Sequence, residues 1–239
     1  HCFSEVCCND MEEVGVDLED PAAVETFNAS KMKAHCLALR ELIASYHPNA
    51  CVFFNGTTAI EGGINFRQKM YKHNTVQDLE DLPTVWGGYD KLPLQSKYFL
   101  RAGYSIAAMS GKFHTAWGEF GGFKHPEALR YEAASMIAWG AACNFGDQLH
   151  PSGKMDLATY KNIGHAYTYA KKIEAYGVGG VPSSRLGFWR TFSESHDEGL
   201  AKILLEKQIN FDIANFTKDL NVFDAVSYTH LRAHETDRY

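Results

Sequence analysis

The chain has 239 residues, 45% of them hydrophobic and 22% charged, a globular balance that excludes a disordered or collagen-like polypeptide. The net charge of −6 argues against a nucleic-acid surface, which carries a basic excess. No run of about 18 or more apolar residues is present to span a membrane.

The chain starts at His1 with no initiator Met, no charged n-region and no apolar h-region, so no signal peptide is read and the true N-terminus is expected upstream. Three of the six cysteines, Cys2, Cys7 and Cys8, cluster in the first eight residues. Structural zinc would need four ligands, usually in paired C-x₂-C form, with His1 or His35 helping; no metal is expected. Cys51 and Cys143 lie in apolar runs and read as small buried hydrophobes.

Residues 21–46 predict a helix, with Pro21 in the first turn and Val24, Phe27, Met32, Leu37, Leu39 and Leu42 in a helical period. ACVFFNG (50–56) is a short apolar run bounded by turn residues, as in a strand buried on both faces. Residues 75–80 predict a second strand, 105–111 a third and 141–146 a fourth. Helices are expected at 92–103, 126–139 and 156–176, with Gly103 closing the first and Asp156 capping the last. Phe99, Met136 and Trp139 read as helical core. Past the glycines of 177–180, where a domain boundary is placed, VPSSRLGFW (181–189), an amphipathic helix at 197–208, NFDIANF (210–216) and VFDAV (222–226) read as the opening of a second α/β unit. The stretch 227–239 (SYTHLRAHETDRY) has no apolar period. It resembles a translated sequencing adapter of the kind that ends reading frames on metagenomic contigs, and it is set aside together with the i, i+4 pair His230 and His234.

Strands alternating with helices predict an α/β fold with parallel strands and right-handed crossovers. Each strand is followed by a loop rich in polar and aromatic residues: Asn55; Glu80, Asp81, Trp86 and Tyr89; His114, Trp117 and Glu119; Asp147, Gln148 and His150. In a (β/α)₈ barrel the site is built from the C-terminal strand ends.

Three stretches carry a resemblance: LEDLPTVWGGYDKLPL (79–94), MSGKFHTAWGEFGGFKHPEAL (109–129) and GDQLHPSGKMDLATY (146–160). They resemble a glycoside hydrolase family whose members pair a TIM-type barrel with a β-galactosidase-type trimerisation domain. HCFSEVCCNDM (1–11) is similar to that family's Cys-rich loop, with a different Cys spacing, and DEGLAKILLEKQINFDI (197–213) to the start of its flavodoxin-like trimerisation domain. The resemblance implies the C-terminal half of a TIM barrel over 1–180, strands five to eight, then a truncated α/β domain over 181–226. It also implies a homo-oligomer, a trimer, when full length.

Glycoside hydrolysis needs two carboxyls flanking one bond. Glu80 lies at a strand end beside Asp78 and Asp81, and like charges raise the pKa of at least one member; Glu80 is the expected proton donor. Strand alternation puts Asp78 on its side and Asp81 on the other. Asp147 reads as a second carboxyl or a ligand of a sugar hydroxyl, and Glu119 ranks below it. Asn55, Asp78, His114, Gln148 and His150 are candidate hydroxyl binders, and Trp86, Tyr89 and Trp117 candidate stacking walls. Each also has a plain structural reading, as a turn, cap or rim-packing residue.

No G-x-G-x-x-G, G-x₄-G-K-S/T or G-x-S-x-G is present, which disfavours a nucleotide-binding protein and a serine hydrolase. A zinc hydrolase using His114, Asp147 and His150 lacks H-x-H or H-E-x-x-H. The expected function is therefore carboxylate-catalysed hydrolysis of O-glycosidic bonds without a cofactor, with this chain inactive alone because one carboxyl belongs to a missing strand. The rival reading is a non-catalytic carbohydrate-binding protein. A carbohydrate is the expected ligand; neither nucleic acid nor a membrane is.

Overall fold

The computed structural model describes residues 3–60, 69–86, 88–180 and 183–228. It divides into two compact units, residues 1–76 and 77–239. The glycines of 177–180 lie inside the second.

The first unit holds helix α1 (Glu5–Glu13), capped by Ser4, and the long helix α2 (Pro21–Tyr46), capped by Asp20 with Pro21 in its first turn. Cys7 and Cys8 lie on α1, a helix where the resemblance implied a loop. On α2 only Val24 and Cys36 are buried, while Met32, Leu37 and Leu42 of the expected apolar stripe are exposed. Residues 50–56 form no strand. The expectation fails because side chains satisfy this backbone: Val52 N–H donates to Thr75 Oγ1 at 2.7 Å and Phe54 N–H to Asn74 Oδ1 at 3.0 Å. Val52 is buried, but Cys51 is exposed rather than a core residue. A 3₁₀ turn at Met70–His73 follows, and the Arg40 guanidinium donates to the Lys72 and His73 carbonyls.

The second unit opens with β1 (Gln77–Glu80), α3 (Lys91–Arg101), β2 (Ile106–Gly111), α4 (Pro126–Ala138), β3 (Ala142–Gly146) and α5 (Leu157–Gly177). Three of the four expected strands thus form, as a parallel sheet in the order β1-β2-β3. The register pairs Glu80 with Met109 and Met109 with Asn144; Gly111 pairs with Gly146. Alternation gives this sheet two unlike faces. Cys143 and Phe145 turn to the helices, against a core of Leu129, Ala133 and Ile137 from α4 and Ile163, Ala166 and Ala170 from α5. Asp78, Glu80, Met109 and Asn144 share the opposite, half-buried face.

The chain continues as β4 (Leu186–Trp189), α6 (Glu194–Glu206), β5 (Asp212–Ile213) and β6 (Ala225–Tyr228). These strands form a second parallel sheet with β4 central, in the order β5-β4-β6. Ser227 and Tyr228 pair with Phe188 and Trp189, so β6 runs two residues into the stretch set aside as a tail. His230 and His234 lie outside the described residues.

Helix α3 packs against β1 and β2 on one side and against β5 and α6 on the other. Eight consecutive residues, Leu92–Phe99, are therefore buried, including Gln95, Ser96 and Lys97. The Lys97 ammonium lies 4.9 Å from the Trp139 ring centroid and donates to Asn210 Oδ1. Arg101 pairs with the fully buried Asp212. Gly103 stands just past α3 with φ +86°, a conformation that favours glycine as a helix terminator.

Candidate active site

The C-terminal ends of β1, β2 and β3 converge on one polar row. Asn144 Nδ2 on β3 donates to Asp78 Oδ2 on β1 at 3.0 Å, spanning β2. Asp78 Oδ1 is buried without a hydrogen-bond partner. Burial pushes the Asp78 pKa up; the Asn144 amide opposes this and the Glu80 charge adds to it. Glu80 follows one step along the same face, at the strand's end, and Lys91 Nζ donates to its carbonyl at 2.8 Å.

Glycine decides what sits above this row. A Cβ at Gly146 would collide with the Trp117 ring, and one at Gly111 would meet Phe113 at 2.6 Å and Trp117 at 3.2 Å. Two facing glycines at the ends of β2 and β3 thus let Trp117 lie on the backbone. Its ring centroid is 4.9 Å from that of Phe113 and 5.9 Å from that of Trp86, making an aromatic corner. Trp117 Nε1–H is a buried donor without a partner, and Gln148 Oε1, beside Gly118, a buried acceptor without one. The loop carrying Trp117 is braced at its base. Glu119 accepts from the backbone N–H of His114 and Thr115, which holds its pKa low, and Lys112 donates to the Glu119 and Gly122 carbonyls.

The other candidates have surroundings of their own. Asp147 follows Gly146 with its carboxylate toward the Tyr160 hydroxyl of α5, whose pKa is raised by burial first and by Asp147 second. His114 is exposed. His150 Nδ1 lies 2.9 Å from Ser152 Oγ in its own turn. Tyr89 faces the helix layer, its hydroxyl donating to Glu132 Oε1 at 3.2 Å. Asn55 Oδ1 accepts from the Gly56 N–H, in the first unit.

Behind the row is a cluster that sequence reading missed. Asp81 points to the helix side and is 3% exposed, with the Leu82 N–H as the donor beside its carboxylate. Burial pushes its pKa up to about 7, against the pull of the Lys91 ammonium and the Leu82 N–H. Glu132 on α4, buried, accepts from Ser110 Oγ at 2.6 Å and from buried Lys124 at 2.8 and 3.0 Å. The signal available was three charges at wide spacing, invisible before the chain folds. Among the described residues, no group of three or more His, Cys, Asp or Glu side chains is placed to hold a metal ion.

No family model and no curated protein matches this chain. It is similar to a solved structure, alpha-L-fucosidase isoenzyme 2 from Paenibacillus thiaminolyticus, at 35% identity with a TM-score of 0.84. The match covers 94% of this chain and 35% of that one, so the chain spans about a third of the length of its neighbour. That likeness supports a glycoside-hydrolase type of fold. No helix among the described residues is long and apolar enough to cross a membrane.

Proposed function

We propose that the chain carries part of the active site of a retaining or inverting glycoside hydrolase, and that the substrate class is an α-L-fucoside, as the neighbour's name suggests. The observation that carries this reading is the row of Asp78, Glu80 and Asn144 on the sheet face turned away from the helices. Glu80, at the strand's end, gives its proton to the leaving oxygen. Asp78, held by Asn144, binds a sugar hydroxyl through its second oxygen. Trp117 and Trp86 present ring faces to the sugar's apolar side. Asp147, turned to Tyr160, anchors the last loop rather than attacking.

On this reading β1, β2 and β3 belong to the second half of a (β/α)₈ barrel, whose remaining strands supply the second carboxyl. The order β5-β4-β6 supports a flavodoxin-like second unit, since such sheets start with the order 2-1-3. Homotrimer formation through that unit is part of the same proposal.

The test uses the complete product of the gene and 4-nitrophenyl α-L-fucopyranoside. Glu80→Gln is expected to lower kcat at least about 100-fold with little change in fucose affinity, the scale of a lost general acid. Equal loss of turnover and binding would favour a plain carbohydrate-binding protein, and unchanged turnover would refute the assignment.

A further inference from the structure

We propose that the groove between α3, the residue closing α4 and the α6–β5 loop binds a small aromatic monocarboxylate, away from the sugar-binding row. The row lies where β1 and β3 end, whereas this groove lies where α4 ends and β5 is about to start. It holds about 300 Å³, the lower end of the range for small-molecule sites. Its apolar walls are Trp139, Leu205, Ile209 and Phe211, and its polar groups are Lys97, Gln208 and Asn210.

The Lys97 ammonium is the only charge in this lining. Lys97 is 6% exposed, and its Nζ lies 4.9 Å from the Trp139 ring centroid and 5.0 Å from that of Phe211. Two ring faces thus hold the cation in place. It donates to Asn210 Oδ1 at 3.1 Å, a neutral acceptor whose amide donates in turn to the Ser183 carbonyl. Two neighbouring charges act on Lys97, the attractive Asp212 and the repulsive Arg101. Both Asp212 oxygens are taken, Oδ2 by the Arg101 guanidinium and Oδ1 by the Ile213 N–H. Two cations therefore meet one carboxylate, which leaves one positive charge on the groove. Gln208, just past α6, holds φ +55°, a conformation that glycine adopts more readily, and the glutamine brings an amide to the groove's edge.

Charge and wall type set the class of ligand. A lone positive charge attracts an anion, and a single one suits a monocarboxylate better than a phosphate or a diacid. The ring and aliphatic walls suit a flat apolar body stacked on Trp139. A sugar would leave most of its hydroxyls without partners here.

The test is isothermal titration calorimetry of the complete gene product near neutral pH, with 2-naphthoate and with 2-naphthamide as its uncharged counterpart. The acid is expected to bind one site at least about 10-fold tighter than the amide, the scale of a charge-assisted hydrogen bond. Lys97→Met keeps the stem and removes the charge. It should weaken the acid by that factor and leave the amide unchanged, while Glu80→Gln should alter neither. No binding of the acid, equal affinity for acid and amide, or acid affinity that survives Lys97→Met overturns the site. Loss of the acid in Glu80→Gln would put the ligand in the sugar-binding row and overturn it too. Should Lys97→Met fail to fold, Leu205→Trp, which fills the groove from its half-buried wall, decides: abolished acid binding supports the site and retained binding refutes it.

Discussion

Asp78, Glu80 and Asp81 are near neighbours at the end of β1, yet their surroundings separate them. Asp78 and Glu80 share the polar face, whereas Asp81 is buried among helix residues and its pKa rises to about 7. A carboxyl whose pKa is raised on folding keeps a proton that the unfolded chain releases. Its contribution to stability is therefore best below the unfolded value of 3.8 and is lost as pH rises through about 7. The raised pKa of Asp78 acts in the same direction. The stability of the unaltered chain relative to Asp81→Asn should fall by a few kcal/mol between about pH 4 and 7. Urea titrations at stepped pH check this; a flat difference would mean that Asp81 is solvated. Gly146→Ala tests the aromatic corner. The added methyl meets the Trp117 ring, so a cost of about 1–3 kcal/mol and a shift in tryptophan emission are expected.

Among the elements, α3 and α4 show how much of the fold the sequence alone discloses. Their positions were legible because Pro126, Gly103 and the apolar period are local signals, and the strands were legible because each is a short apolar run between turns. The burial of Gln95, Ser96 and Lys97 was not legible, because it depends on β5 and α6 covering the far side of α3, over a hundred residues on. Residues 50–56 misled for the same reason: an apolar run looks like a strand, but Asn74 and Thr75 take its backbone bonds. In the site, Asp78 with Glu80 was legible from strand period. The partners of Asp147 and Tyr89, Tyr160 and Glu132, were not legible, since they come from helices. The ion pair joining α4 to the β2–α4 loop should be stiff. Lys124→Met leaves buried Glu132 without its counter-charge, and a loss of about 3–5 kcal/mol is expected in denaturant unfolding. A loss below about 1 kcal/mol would show that the pair is dispensable.

Among the described residues, the second unit presents two three-stranded parallel sheets that share α3. Parallel sheets are normally covered on both faces, and the polar face of β1, β2 and β3 is only half-buried here. Strands β1 and β3 each have a pairing partner on only one side among the described residues. Open edges template further pairing, so the chain produced alone is expected to associate. Light scattering after size exclusion should report a mass above 26.7 kDa, and a strictly monomeric peak would contradict the half-barrel proposal. The central claim, that the Asp78–Glu80–Asn144 row handles a sugar, is tested most directly by fucosidase turnover of the complete gene product with and without Glu80→Gln. Activity is expected in the unaltered protein and its near-complete loss in the variant, with fucose still bound. Full activity in the variant would contradict it.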